Sequence, residues 1–310
     1  MATARTIFDE KSASSSPGVA VSDPEVNARP LIGVQDVVVE YGQSGKAPKR
    51  ILNGVNLDID PGEFISIVGQ TGCGKSTLLR LVLAEEMPTG GQVLVEGSPR
   101  RQPDRRCGYV PQKYSLFPDR TVLENITFGL EVTEIGIFGG FSPARRARRK
   151  EFRAEAIGYL RRMGLRESDA VKYPHQLSGG MQQRVAIAQA LIMRPKILLM
   201  DEAFSALDPG TRAGMQRLIK DLWRETGTTV LFVTHNPREA VILATRVIAL
   251  GRRGAEEDGA NIVLDLSVSD NLMSDTGDEQ RIAGLIRRVE QITFPNGGSE
   301  SDEQPGAPEA

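Results

Sequence analysis

Short apolar strands alternating with amphipathic helices predict an α/β fold built on a largely parallel sheet covered on both faces. Three observations carry this reading. FISIV (64–68), ILLM (197–200) and TVLFVT (229–234) are short apolar runs, rich in β-branched residues, of the kind buried strands require. The first is followed at once by a glycine-rich turn and the apolar helical run TLLRLVLAEE. Between the second and third, MQRLIKDLWRE places Met215, Leu218, Ile219 and Leu222 on one side of a helix. At 310 residues, 40% hydrophobic and 25% charged, the chain has an ordinary globular composition and enough length for about two domains.

Taken in order, residues 1–30 are rich in Ser, Ala and Pro without period, and a disordered arm is expected there. Order begins near Leu31, where LIGVQDVVVEYG alternates as an edge or outer strand. ILNGVNLDIDPGEFISIVG reads as two further strands broken at Asp60-Pro61-Gly62. The stretch 121–170 changes character. TVLENITFGLEV leads through an apolar, glycine-containing piece into ARRARRKEFRAEAIGYLRRMGL, where Phe152, Ala156, Ile157 and Leu160 share a helical face. This portion reads as a mainly helical subdomain inserted into the α/β core. Past Ala255 the chain turns acidic, with a short strand expected in EEDGANIVLDLSVSD. Helical spacing returns over 279–292 through Ile282, Leu285, Ile286, Val289 and Ile292, and the final acidic residues read as a solvated tail. No internal repeat points to tandem copies of one domain.

Composition excludes several classes. With 38 Lys plus Arg against 40 Asp plus Glu the net charge is -2, which excludes a strongly basic nucleic-acid-coating protein. No apolar stretch approaches the roughly 18 residues of a membrane helix, and MATARTIFDEKSASSS lacks the apolar core of a secretory signal. Two cysteines, Cys73 and Cys107, build neither a disulfide framework nor a four-cysteine zinc site, so the cytosol is the expected compartment. The run Arg145, Arg146, Arg148, Arg149 and Lys150 reads better as a solvated helix face than as a contact for lipid headgroups, a partner loop or nucleic acid, because stacking aromatics are sparse.

GQTGCGKST (69–77) matches the pattern of a phosphate-binding loop in the right context, strand before and helix after. Gly69, Gly72 and Gly74 let the backbone curl around phosphate without Cβ obstruction, while Gln70, Thr71 and Cys73 fill the intervening positions. Lys75 is a point charge for the β- and γ-phosphates of ATP. Ser76 offers a hydroxyl to Mg2+, and Thr77 lies beside the phosphates. ILLMDE places Asp201 and Glu202 at the C-terminal end of a strand, the ligand-bearing edge of a parallel sheet. There Asp201 would orient Mg2+ and Glu202 would polarise the attacking water; alone, the pair could merely end the strand or cap a helix. His235, behind TVLFVT, is placed to meet the γ-phosphate and the water, against a bland reading as a solvent histidine or cap. His175 lacks such placement and reads as structural. Ser178 in LSGGMQQR can cap a helix beginning at Gly179 or Gly180 and expose N–H groups to an anion, although SGG before a helix is also a common plain cap.

Together, the phosphate loop, LSGGMQQR and the acidic strand end resemble the ATP-binding subunits of ABC transporters over roughly 31–253. The resemblance implies a P-loop NTPase core of the ABC ATPase type with an antiparallel β subdomain and a helical subdomain over about 113–190; the acidic C-terminal extension at 254–310 lies beyond it. It implies that Tyr41 stacks on adenine and that Gln112 joins Mg2+ and water to the transmembrane interface. Ser178, Gly179 and Gly180 would reach the γ-phosphate held by a second copy, and Asp208 would link the two sites of that pair. Glu202 matches the general base and His235 the switch histidine. The implied partners are a second ATPase subunit, two transmembrane permease subunits at the cytoplasmic face of the inner membrane, and an extracytoplasmic solute-binding protein. RCGYVPQKYSLFPDRTVLENITFGLE and VLFVTHNPREAV look most like importers of nitrate, taurine and other sulfonates, although Ala203 and Asn236 depart from common family residues. The competing readings are an ATPase of a different ABC importer subgroup and, outside transport, a DNA-maintenance or translation ATPase. Neither a long coiled coil between Lys75 and Asp201 nor a zinc cysteine cluster supports the latter, and no nucleic acid is expected.

Overall fold

The computed structural model describes residues 29–43, 46–113, 116–136, 142–205, 207–252, 258–268 and 278–294. Residues 1–28 of the expected arm at 1–30, the whole of the expected tail at 299–310 and residues 137–141 of the apolar piece lie outside the described residues.

Two sheets organise the chain. β1 (Ile32–Gln43) pairs antiparallel with β2 (Lys46–Ile59) on one side and with β4 (Gly90–Val95) on the other, and β5 (Ser98–Pro99) extends β4. β1 is therefore an inner strand, not the edge or outer strand its alternation suggested. The polar positions arise because one face of an antiparallel sheet meets solvent while the other packs on the core. A register shift near Asp36 (φ 47°) interrupts β1, and Asp36 and Asn56 exchange hydrogen bonds of 2.8 and 3.0 Å across it.

The second sheet runs β10–β9–β3–β8–β7–β6. It joins β3 (Phe64–Val68), β6 (Cys107–Val110), β7 (Ile197–Asp201), β8 (Thr229–Val233) and β9 (Arg246–Gly251) in parallel, with β10 (Asn261–Ser267) antiparallel at one edge. All five residues of β3, β7 and β8 are buried, as their continuous apolar runs require. Period-two alternation divides them between two cores. Ile65, Ile67, Ile197, Leu199, Leu231 and Val233 face the antiparallel sheet and α1 (Lys75–Leu83). Phe64, Val68, Leu198, Met200, Val230 and Phe232 face the helical layer.

That layer comprises α2 (Val122–Leu130), α3 (Pro143–Arg162), α4 (Gly179–Leu191), α5 (Pro209–Thr226), α6 (Pro237–Leu243) and α7 (Asp278–Thr293). Start signals are explicit. Thr121 and Glu124 form a reciprocal capping box on α2, Ser142 caps α3 ahead of Pro143, and a π-helical turn follows α2 at Glu131–Ile135. On α3, Phe152, Ala156 and Leu160 are buried, while the basic run is mostly exposed; Arg148 pairs with Glu134 and Glu151 and lies 4.8 Å over the Phe152 ring. Past residue 254, β10 joins the main sheet and α7 packs on α6, so these residues build on the same core. In α7, Val289 is fully buried, and Ile282, Leu285 and Ile286 are partly buried against the same core, but Ile292 is exposed and Thr293 is buried in its stead.

Candidate active site at the sheet's C-terminal edge

Between β3 and α1 the chain must turn sharply, and the Cys73 N–H donates back to the Gln70 carbonyl at 3.2 Å. Gly72 (φ 79°) and Gly74 (φ 98°) supply the left-handed conformations this requires. Space is as limiting as torsion. A Cβ on Gly74 would lie 2.6 Å from Leu52 Cδ2, and one on Gly69 would lie 2.5 Å from both the Leu250 carbonyl oxygen and Cys73 Sγ. Lys75 is buried, and its ammonium donates to the carbonyls of Gly69 (2.7 Å) and Gln70 (2.9 Å), so the loop closes around its own cation. Gln70 and Thr71 stand exposed at the mouth and Thr77 is buried. Burial pushes the Cys73 thiol up, against the opposing charge of Lys75.

β7 ends beside this loop. Asp201 is buried, which raises its carboxyl pKa, and a hydrogen bond with the Ser76 hydroxyl works in the opposite direction. A buried carboxylate joined to a hydroxyl beside a phosphate loop is a hard-oxygen donor set that fits Mg2+. Among the described residues no cluster of three His, Cys, Asp or Glu offers a metal an all-protein cage. Ser76 and Asp201 would therefore leave most of the coordination shell of such an ion to water or a phosphate ligand.

Glu202 follows in a left-handed conformation (φ 47°), uncommon for a side chain with a Cβ and frequent where geometry serves function. Its N–H donates to the Val233 carbonyl at 2.9 Å, which fixes the turn against β8. The Gln112 amide, just beyond β6, donates to Glu202 Oε2 at 2.8 Å, while His235 Nδ1 lies 3.5 Å from Oε1. Three residues far apart in sequence thus meet at one carboxylate, beyond the ends of three adjacent strands. Gln112 was expected to face Mg2+; its amide nitrogen here engages Glu202.

The remaining expected residues lie around this centre. Tyr41 on β1 is partly exposed, and burial together with its hydrogen bond to Glu86 raises its phenol pKa. Ser178 caps α4 by accepting from the Met181 N–H at 3.3 Å, with Gly179 and Gly180 opening the helix. No bond among the described residues ties this helix start to Gln112, Glu202 or His235. Asp208 is exposed and caps α5, its carboxyl held below the usual range by Thr211. His175 stacks on Tyr173 with ring centroids 5.8 Å apart, consistent with a structural role.

Sequence reasoning missed the support behind His235. Asn236 caps α6 by accepting from the N–H groups of Arg238 (2.9 Å) and Glu239 (3.3 Å). The signal was present, since Asn-Pro-Arg-Glu carries a cap, a first-turn proline and a first-turn acid.

Residues 52–205 match the family model described as ABC transporter. The spermidine/putrescine import ATP-binding protein PotA of Vibrio cholerae is 36% identical over 263 residues, covering 79% of this chain and 66% of that protein. An uncharacterized ABC transporter ATP-binding protein of Methanocaldococcus jannaschii is 43% identical over 205 residues, covering 66% of this chain and 72% of its own. Among solved structures, the dimeric post-hydrolysis state of the ATP-binding cassette MJ0796 bound to ADP and Pi aligns with a TM-score of 0.66 at 34% identity, over 77% of this chain and 99% of that one. The cbiO1 protein of Clostridium perfringens, part of the ABC transporter complex cbiONQ, aligns with a TM-score of 0.63 at 25% identity, over 86% and 96% of the two chains. This chain thus spans less than two thirds of the Vibrio protein and nearly the whole of the solved cassettes. With its fold, its phosphate loop and these likenesses, the chain belongs to the ABC transporter ATP-binding family.

Proposed function

We propose that the chain is the Mg2+-dependent ATP-hydrolysing subunit of a membrane import system. The observation that carries this is the meeting of Gln112 and His235 on the Glu202 carboxylate, beside a glycine loop closed on Lys75. When ATP binds, Lys75 exchanges the carbonyls of Gly69 and Gln70 for phosphate oxygens, and the loop N–H groups and the α1 N-terminus face the same negative charge. Ser76 and Asp201 hold Mg2+, which supplies Lewis-acid neutralisation of charge on the phosphates. Glu202, held by Gln112 and His235, accepts a proton from the attacking water; the geometry keeps one carboxylate oxygen beside the histidine and the other on the amide. Tyr41 stacks on the adenine. Ser178, Gly179 and Gly180 complete the site of a second copy, and Asp208 lies at the junction of the two; the dimeric cassette among the structural neighbours supports the pairing.

Hydrolysis breaks contacts between the copies and moves two permease subunits through the Gln112 loop, at the cytoplasmic face of the inner membrane. A solute-binding protein outside delivers the cargo. The relatives named for spermidine/putrescine import favour an importer, and they make polyamines the first solutes to test. No relative described here is named for nitrate, taurine or sulfonate import, so that expectation rests on the short phrases alone. Purified protein should hydrolyse Mg-ATP, and Lys75→Ala should abolish turnover. Purification from native membranes should recover permease subunits in a 2:2 complex, whose reconstituted ATPase is then measured with each solute. Wild-type kinetics in Lys75→Ala, or a stoichiometric DNA or ribosomal complex without membrane subunits, defeats the reading.

A further inference from the structure

We infer that Glu239 is a positioning residue that couples the Leu207–Asp208 turn to His235, so that events at the subunit junction reach the hydrolytic centre; this rests on the ATPase reading above. Glu239 lies in the first turn of α6 and is mostly buried, its side chain 11% exposed. One carboxylate oxygen accepts from the Thr234 hydroxyl at 2.7 Å and the other from the Gln216 amide at 3.1 Å. Thr234 directly precedes His235, and its hydroxyl oxygen also accepts from the Asn236 N–H at 3.1 Å. Both neighbours of His235 in the chain are therefore fixed to the start of α6. His235 itself is 59% exposed and has little packing of its own to hold its ring against Glu202. Its position depends on the residues either side of it.

On the other side of Glu239 stands Arg212, in the first turn of α5. Its Nη2 donates to the Leu207 carbonyl at 3.0 Å, so the guanidinium holds the turn that leads into Asp208 and α5. Its Nε is buried, makes no hydrogen bond and stops 3.8 Å from Glu239 Oε1. A buried guanidinium nitrogen without an acceptor is costly, and a shift of about 1 Å would close a charge-assisted hydrogen bond. The structure thus holds an open contact between the Asp208 turn and the clamp on His235. Movement of that turn when a second copy docks would close the contact and seat His235 against the nucleotide. Neither Arg212 nor Glu239 need touch ATP.

The full chain is assayed for Mg-ATP turnover as wild type, Glu239→Gln, Arg212→Gln and the double variant. Glu239→Gln keeps an oxygen for Thr234 but removes the charge facing Arg212. Each single change should lower kcat about tenfold with KM for ATP held within about twofold, as befits residues remote from the nucleotide. The double variant should lose less than the product of the two single losses, because both changes break the Arg212–Glu239 connection. Thr234→Val forms a second cycle with Glu239→Gln should Arg212→Gln fail to fold, and Thr234→Ser should restore turnover. Losses that multiply in the double variant, an effect confined to KM, or wild-type turnover in folded single variants overturn the inference. A wild-type chain that never hydrolyses ATP overturns the ATPase reading first, and this inference with it.

Discussion

On the proposed reading Glu202 combines a chemical role with a strained backbone, and three substitutions separate the two. Glu202→Gln keeps the side-chain volume and leaves an oxygen for the Gln112 amide, whose bond to Glu202 is 2.8 Å long, but it removes the base. A positioned general base contributes about 10²–10⁴-fold, so kcat should fall by that factor, equivalent to about 3–5 kcal/mol of transition-state stabilisation. ATP affinity should persist, because Lys75 and the loop are untouched. Glu202→Ala and Glu202→Gly both lose the base and its two neighbours, so the difference between them reports the backbone. At φ 47° a residue with a Cβ carries about 1–2 kcal/mol of strain that glycine avoids. Glycine also loosens the unfolded chain, which takes back about 0.4–1 kcal/mol. Glu202→Gly should therefore be the more stable of the two by about 0.5–1 kcal/mol, a rise of about 2 °C in melting temperature. Turnover is measured by phosphate release and stability by calorimetry without nucleotide. Glu202→Gln turning over within tenfold of wild type would refute the base assignment, and Glu202→Gly melting below Glu202→Ala would refute the strain.

Other expectations follow from single observations. Gly69→Ala forces a Cβ onto the Leu250 carbonyl oxygen and Cys73 Sγ, both at 2.5 Å, and should abolish ATP binding measured by nucleotide fluorescence. Asp104 accepts from Arg106 and from the buried Arg100, which hold its carboxyl well below the usual range. A depressed carboxyl stabilises the fold above its unfolded value near 4 and loses that contribution as pH falls through the folded value. Asp104→Asn should thus cost about 1 kcal/mol at pH 7, discounted for partial exposure, and the deficit should shrink below about pH 4 in urea titrations. Val289→Ala should cost about 2 kcal/mol if α7 is integral to the core, read from the same titrations. Chelating Mg2+ should reduce turnover to background while leaving the melting temperature without nucleotide unchanged.

What could be read in the sequence was local chemistry. The phosphate loop, the Ser178 cap and the acidic strand end are contiguous motifs whose conformation follows from glycines, caps and apolar runs within a few residues. β3, β7 and β8 were legible because both faces of these strands are buried, leaving continuous apolar runs. β4, β6 and β9 were missed. GGQVLV, CGYV and RVIALG are short, and glycine or a charge begins or interrupts each, so tertiary pairing decides their state. β1 was assigned to the wrong place in its sheet because alternation reports a solvent-facing side and carries no information about neighbours. The register of α7 drifted at its last turn, where Thr293 is buried and Ile292 is not.

The bonds between motifs were beyond such reading. Gln112 and Glu202 are separated by 90 residues and meet because β6 and β7 are adjacent parallel strands ending at the same edge. Arg212 and Glu239 lie on different helices and approach because both helices begin near that edge, after β7 and after β8. Parallel strand order therefore gathers side chains that no spacing rule would connect. The solute is illegible for a different reason. Its chemistry has to be matched by a pocket, and the polar groups gathered in this chain suit a nucleotide and its metal. Discrimination between a polycationic and an anionic cargo needs opposite charge in the recognition site. On the ATPase reading proposed above, the loop that meets phosphate must stay positive and the Glu202 carboxylate negative whichever cargo is carried, so selection for a solute would leave no mark on these residues.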